Sequence, residues 1–210
     1  AGHALVASSL KNADPVQKLS IISRGHAGGY TLSAPTKDKT LHSRAYFIDE
    51  LSVLMGGYVS EKINFDDVTT GASNDLERAT AMARNMVTRY GMSELGARTF
   101  GHKEEMIFLG KEIHEERNYS EKTAEDIDKQ VSKFIEDAYK IAEEILKEKK
   151  PILDKIFSVL LEKETIEQDE YNGIVGIEKA KKPDWEEKEE EYEEEKLIKV
   201  NTAENNPQSN

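Results

Sequence analysis

Apolar positions change period along this chain, and the changes mark its elements. Residues 3–10 read as a short helical end that stops before Asn12, Ala13, Asp14 and Pro15. Residues 18–22 are rich in β-branched side chains and predict a strand. A Gly-rich turn over 24–29 leads to a second short strand at Tyr30, Thr31 and Leu32, which Pro35 ends. These two strands make a small β patch with an exposed edge. From about Ser43 the period becomes helical, with Phe47, Ile48, Leu51, Leu54, Met55 and Val59 on one face. Gly56 and Gly57 fall inside that helix at a cost of about 1 kcal/mol each relative to alanine, so close packing against another backbone is expected to compensate.

A polar loop over 64–73 follows, and the next helix begins near Asn74. Asn74 and Glu77 form a cap pair by analogy with the capping box. Leu76, Ala79, Met82, Ala83, Met86, Val87 and Tyr90 make its apolar face, and Gly91 stops it. Residues 93–119 are irregular, with short strands expected at 98–100 and 106–108. Ser120 opens a long helix to about Lys149, whose buried stripe runs from Ile127 and Val131 to Ile145 and Leu146. Pro151 suits the first turn of another helix, with Ile152, Leu153, Ile156, Phe157, Leu160 and Leu161 facing inward. Residues 165–175 predict a final short helix. The chain is therefore mainly α with a small β element. Two parts are expected, a domain over residues 1–179 and an acidic, disordered tail over 180–210, with a solvated single helix through Trp185 to Val200 as the other reading of the tail.

Composition narrows the function. The 210 residues carry a net charge of −12, which argues against a nucleic-acid partner, because phosphate binders are usually basic. The last thirty residues hold ten acidic and five basic side chains and so contribute −5 of that charge. No apolar run approaches the ~20 residues a membrane-spanning helix needs. With no cysteine, any metal site must use His, Asp or Glu. No G-x-x-x-x-G-K-[ST] phosphate loop is present, so ATP is not expected to bind within this chain.

The chain opens Ala1-Gly2-His3-Ala4-Leu5-Val6. This reads as the second half of H-E-x-x-H, in which two histidines four apart on one helix face grip zinc and the glutamate between them serves as general base. His3 is then the second histidine, with the first histidine and the glutamate expected just before residue 1. Alone, a histidine beside Leu5 and Val6 is more often a packed or surface side chain. A distant block, Thr69-Thr70-Gly71-Ala72-Ser73-Asn74-Asp75-Leu76, changes that balance.

Together these segments closely resemble the protease domain of the FtsH family, membrane-anchored, ATP-dependent zinc proteases. Asp14-Pro15-Val16, Ile21-Ile22-Ser23-Arg24-Gly25, Leu54-Met55-Gly56-Gly57, Asn85-Met86-Val87-Thr88-Arg89-Tyr90-Gly91 and Phe108-Leu109-Gly110 continue the likeness over roughly the first 180 residues. The resemblance implies a helical zinc-metalloprotease domain with one zinc per subunit held by His3, Asp75 and a histidine upstream. It also implies an ATPase module and membrane anchor upstream, a homo-hexamer, a protease domain on the cytoplasmic side, and unfolded or membrane proteins as substrates. As it stands, the chain is expected to be inactive and to bind zinc weakly, because the base and one ligand lie outside it. Asp75 without the resemblance reads as a carboxylate favoured at a helix start. Glu61 is expected either to orient a zinc histidine or to lie solvated on the helix surface. His26, His42, His102 and His114 match no ligand position and read as surface or loop histidines. Tyr30, Thr31 and Leu32 are expected either to pair with an extended substrate backbone or to be a plain structural strand. Ser23, Tyr58, Ser60 and Lys62 depart from the family's pattern without removing a ligand. The contrasting expectation is a non-catalytic assembly or adaptor module of the same fold.

Overall fold

Helix α2 (Arg44–Phe65) is the centre of the fold in the computed structural model, which describes residues 1–22, 29–34, 41–101 and 118–177. Its start is set by Ser43, whose hydroxyl accepts from the Tyr46 N–H at 3.2 Å and so satisfies one free donor of the first turn. Leu51, Leu54, Met55 and Val59 are buried along it. Against this helix pack α1 (Gly2–Ser9), α3 (Ser73–Thr88) and α4 (Glu121–Glu148). The crossing of α1 on α2 is glycine on glycine. A Cβ on Gly2 would stand 2.3 Å from the Gly56 carbonyl oxygen, and one on Gly56 would stand 3.1 Å from the Gly2 oxygen. The close approach expected from the paired glycines is therefore present, and it brings all of α1 onto the core.

The long helix α4 begins where its sequence indicates. Ser120 is outside the first turn, and its hydroxyl accepts from the Thr123 N–H. Ile127, Val131, Phe134, Ala138, Ala142 and Leu146 form the buried stripe. Helix α5 (Lys150–Lys163) follows with its proline in the first turn. Leu153, Ile156 and Leu160 are buried, but Phe157 and Leu161 are 50% and 62% exposed, so the inward face is narrower than the apolar pattern indicates.

The small sheet has three strands in the order β2-β1-β3, both pairs antiparallel. Strand β1 covers Val16–Ser20 and β2 covers Tyr30–Ser33. The first strand thus starts and ends two residues earlier than expected, and Ile21 and Ile22 are exposed. A bulge between Val16 and Lys18 explains the misreading. An extra residue there puts Val16 and Leu19, three apart, on the same buried face and breaks simple alternation. Strand β3 (Thr165–Glu167) replaces the start of the expected last helix, which becomes α6 (Gln168–Val175). Ile166 pairs with Leu19, and both are buried. Tyr171 on α6 is fully buried, with its hydroxyl 2.8 Å from the Ser8 hydroxyl. Burial pushes its phenol far above the usual tyrosine range, against the Ser8 hydrogen bond. Tyr171→Phe is expected to cost about 1–2 kcal/mol in denaturant unfolding, because it leaves the Ser8 hydroxyl without its partner.

Two further expectations are corrected. The cap pair Asn74 and Glu77 does not form, because α3 starts one residue earlier and makes no side-chain cap bond. A single 3₁₀ turn, Thr70–Ala72, leads into it, and the Thr69 hydroxyl accepts from the Gly71 N–H at 3.1 Å. Residues 98–100 are not a strand, although the Phe100 N–H donates to the Thr88 oxygen at 2.8 Å and the ring is buried. The strand expected at 106–108 lies outside the described residues, as does nearly all of the turn over 24–29. By contacts the chain divides into Ala1–Gly176 and Ile177–Asn210, and the tail expected from residue 180 also lies outside the described residues.

Candidate metal centre

Helices α1 and α3 both lie on α2, and each brings one donor side chain to the same place. His3 is on the first turn of α1 and stands over α2. Its Nδ1 is 2.8 Å from the Val53 carbonyl oxygen. A carbonyl can only accept, so Nδ1 carries the proton and a neutral ring keeps its free lone pair on Nε2. That Nε2 is 3.2 Å from Asp75 Oδ2. Asp75 is in the first turn of α3, where a carboxylate is favoured by the exposed N–H groups.

Two acceptors meeting at this distance need a cation between them, either a proton or a metal ion. Tetrahedral zinc bonded at about 2.0–2.2 Å to nitrogen and oxygen separates neighbouring donor atoms by about 3.4 Å. The His3–Asp75 pair therefore has the donor types and the spacing of one edge of such a site. With a proton between the two, the hydrogen bond from His3 holds the Asp75 carboxyl below the usual carboxylate range, opposed by burial and helped by the charges of the protonated His3 ring and of Arg78. Arg78 Nη1 is 3.8 Å from Asp75 Oδ1, one helical turn along. Among the described residues no group of three or more His, Cys, Asp or Glu comes together as a complete metal site.

The pair opens into a cleft of about 630 Å³, walled by His3, Asp14, Glu50, Asp75 and Arg78 and edged by Thr31 of β2. Strand β2 is at the edge of the sheet, so one side of its backbone faces away from β1. Burial holds the Glu50 carboxyl above the usual range, against the pull of Arg78 and with a push from Asp14.

Glu61 lies partly exposed on the surface of α2 and is bound to the loop that follows the helix. Its Oε2 accepts from the Thr69 N–H at 2.8 Å and its Oε1 from the Thr69 hydroxyl at 3.2 Å. It therefore ties the end of α2 to the turn that starts α3, and so steadies the approach to Asp75. His42 stacks on Tyr46 with centroids 4.2 Å apart. His26, His102 and His114 lie outside the described residues. Sequence reasoning missed the Val53 carbonyl, which no side chain announces. It also missed Arg78, whose position three residues after Asp75 on a helix was a usable signal.

Residues 1–174 match the family model described as Peptidase family M41. The chain belongs to that family. Among its M41 relatives, the ATP-dependent zinc metalloprotease FtsH 1 of Sphaerobacter thermophilus is 50% identical over 175 residues, which are 83% of this chain and 27% of that protein. The ATP-dependent zinc metalloprotease FtsH of Thermotoga maritima is 50% identical over 180 residues, 85% of this chain and 30% of that protein. A third, FtsH 1 of a Thermoanaerobacter species, is 48% identical over 175 residues, covering 83% and 29%. The chain thus spans less than a third of the length of these M41 relatives. The mainly helical architecture with its small sheet is that of an M41 domain.

Proposed function

We propose that this chain forms most of the protease domain of a zinc metalloendopeptidase, ATP-dependent in its full-length form. The observation that supports it best is the approach of His3 Nε2 to Asp75 Oδ2 at 3.2 Å, with the other ring nitrogen committed to Val53. His3 and Asp75 would hold zinc together with the histidine that the H-E-x-x-H spacing puts just before Ala1. The glutamate next to that histidine would be the general base. Bound there, zinc supplies Lewis-acid polarisation of the scissile carbonyl and lowers the pKa of water.

The chain's own residues have separate tasks in this reading. Val53 fixes the proton on His3 Nδ1 and so keeps Nε2 available as a ligand. Arg78 balances the charge of Asp75 without displacing it. Strand β2, at the rim of the cleft and at one edge of the described sheet, would present its outward side to an extended substrate, a mode of recognition that reads main chain rather than sequence. Unfolded and membrane proteins are the fitting substrates. ATP binding upstream, membrane attachment with the protease domain on the cytoplasmic side, and assembly as a homo-hexamer belong to the same proposal, and the FtsH likeness supports them. No helix of the described residues is long and apolar enough to cross a membrane.

The test is zinc content and casein hydrolysis of the full-length protein, compared with its His3→Ala variant and with the bare 210-residue chain. About one zinc per subunit is expected in the full-length protein, with little retained by His3→Ala or by the bare chain, and hydrolysis following zinc. Wild-type zinc content and hydrolysis in His3→Ala would refute the proposal.

A further inference from the structure

We propose that Gly57 is a positioning residue for the metal-ligating nitrogen of His3, which it seats by leaving the Val53 carbonyl uncovered. This inference rests on the zinc reading of His3. Val53 and Gly57 are four apart on α2, so they share one face of the helix. A helical side chain leans toward the N-terminus and covers the turn before its own Cα. Any side chain at position 57 would therefore lie over the Val53 carbonyl. The His3 ring occupies that space instead.

The distances are specific to the ring. A Cβ on Gly57 would be 2.5 Å from His3 Nε2, 2.7 Å from Cε1 and 3.5 Å from Cδ2, and these three are its nearest neighbours. Its neighbour Gly56 differs in kind. A Cβ there would meet the Gly2 oxygen and carbon and the His3 Cα, all of them backbone. Adjacent glycines thus serve separate ends: Gly56 lets two helices touch, and Gly57 lets an imidazole lie against α2. With a methyl group at 57 the backbone can stay, but the ring must leave. It then loses the hydrogen bond from Nδ1 to Val53 that fixes its proton, and Nε2 moves away from Asp75.

Alanine is otherwise the better helix former at an interior position, so local propensity does not account for glycine here. The expected signature of Gly57→Ala is a protein that folds as well as the wild type and holds metal poorly.

The experiment measures zinc affinity of the metal-free full-length protein by competition with a chelator, and the visible absorption of the cobalt(II)-substituted protein. Gly57→Ala is expected to weaken zinc at least about tenfold and to alter the cobalt spectrum, while the unfolding temperature of the metal-free protein does not fall. Wild-type affinity and spectrum in Gly57→Ala, beside lost binding in His3→Ala, would overturn the role of Gly57 alone. Wild-type affinity in His3→Ala would overturn the zinc reading and this inference with it. Should Gly57→Ala fail to fold, the His3→Ala/Gly57→Ala double variant decides. Unfolding at the temperature of His3→Ala supports the ring as the sole obstacle, and a further drop overturns it.

Discussion

Asp75→Ala in the full-length protein is expected to lower casein hydrolysis by roughly 10³-fold while leaving the domain folded. The size follows from the several kcal/mol of transition-state stabilisation that a catalytic metal ion supplies, at about 1.4 kcal/mol per factor of ten. The competing role of Asp75, a carboxylate at a helix N-terminus, is worth only about 0.3–1 kcal/mol of stability and nothing to catalysis. Asp75→Asn separates the two. Asparagine keeps the size and the polarity at the start of α3 but offers zinc a neutral, weaker oxygen. Both variants should therefore lose hydrolysis together, and both should unfold within a few degrees of the metal-free wild type. A fully active Asp75→Asn protein would remove Asp75 from the ligand set.

The second large effect concerns stability. Gly2→Ala is expected to cost about 3 kcal/mol, the upper part of the range for overpacking a core. Its Cβ would stand 2.3 Å from the Gly56 oxygen and 2.7 Å from the Ser60 Cβ, so α1 and α2 must move apart. Every core residue of α1, Ala4 through Ala7, moves with the helix. For a domain of this size the thermal midpoint should fall by roughly 6–12 °C, read by circular dichroism. A midpoint within about 2 °C of the wild type would mean the helices have room that their distances deny.

Long elements with strong periodicity were readable from the sequence. Helix α4 carries a serine cap and a buried stripe over its whole length, and it forms where both signals put it. The glycine pair in α2 also announced a close approach, since two poor helix formers inside an apolar pattern need a compensating contact. What escaped depends on non-local pairing. Strand β3 is three residues long, too short for any period, and exists because β1 offers it an edge. The bulge in β1 erased the alternation that would have located that strand. Phe157 and Leu161 continue the apolar pattern of α5 but stay exposed, because the packing of neighbouring elements, not the pattern, decides how wide the buried face is. For the candidate metal centre, His3 and Asp75 were legible only through a family likeness, because nothing local to either segment says that they meet. Val53 contributes through its backbone, and Glu61 binds the Thr69 N–H and hydroxyl of a loop. Side-chain identity encodes neither fact.

His3 and Asp75 ride on separate helices, and α2 is the splint that holds both. If the pair holds zinc as proposed, an unfolded chain has no place for the ion, and a partly folded one has half a place. On the proposed zinc reading, folding and the acquisition of hydrolytic power would become a single event, an interlock by which a peptidase could not cut before it had its shape. Mass action makes the dependence run both ways. An ion bound only by the folded form, at a hundred times its dissociation constant, adds about 2.7 kcal/mol to the folded state. A chelator would accordingly weaken this domain against heat by the same act that silences it.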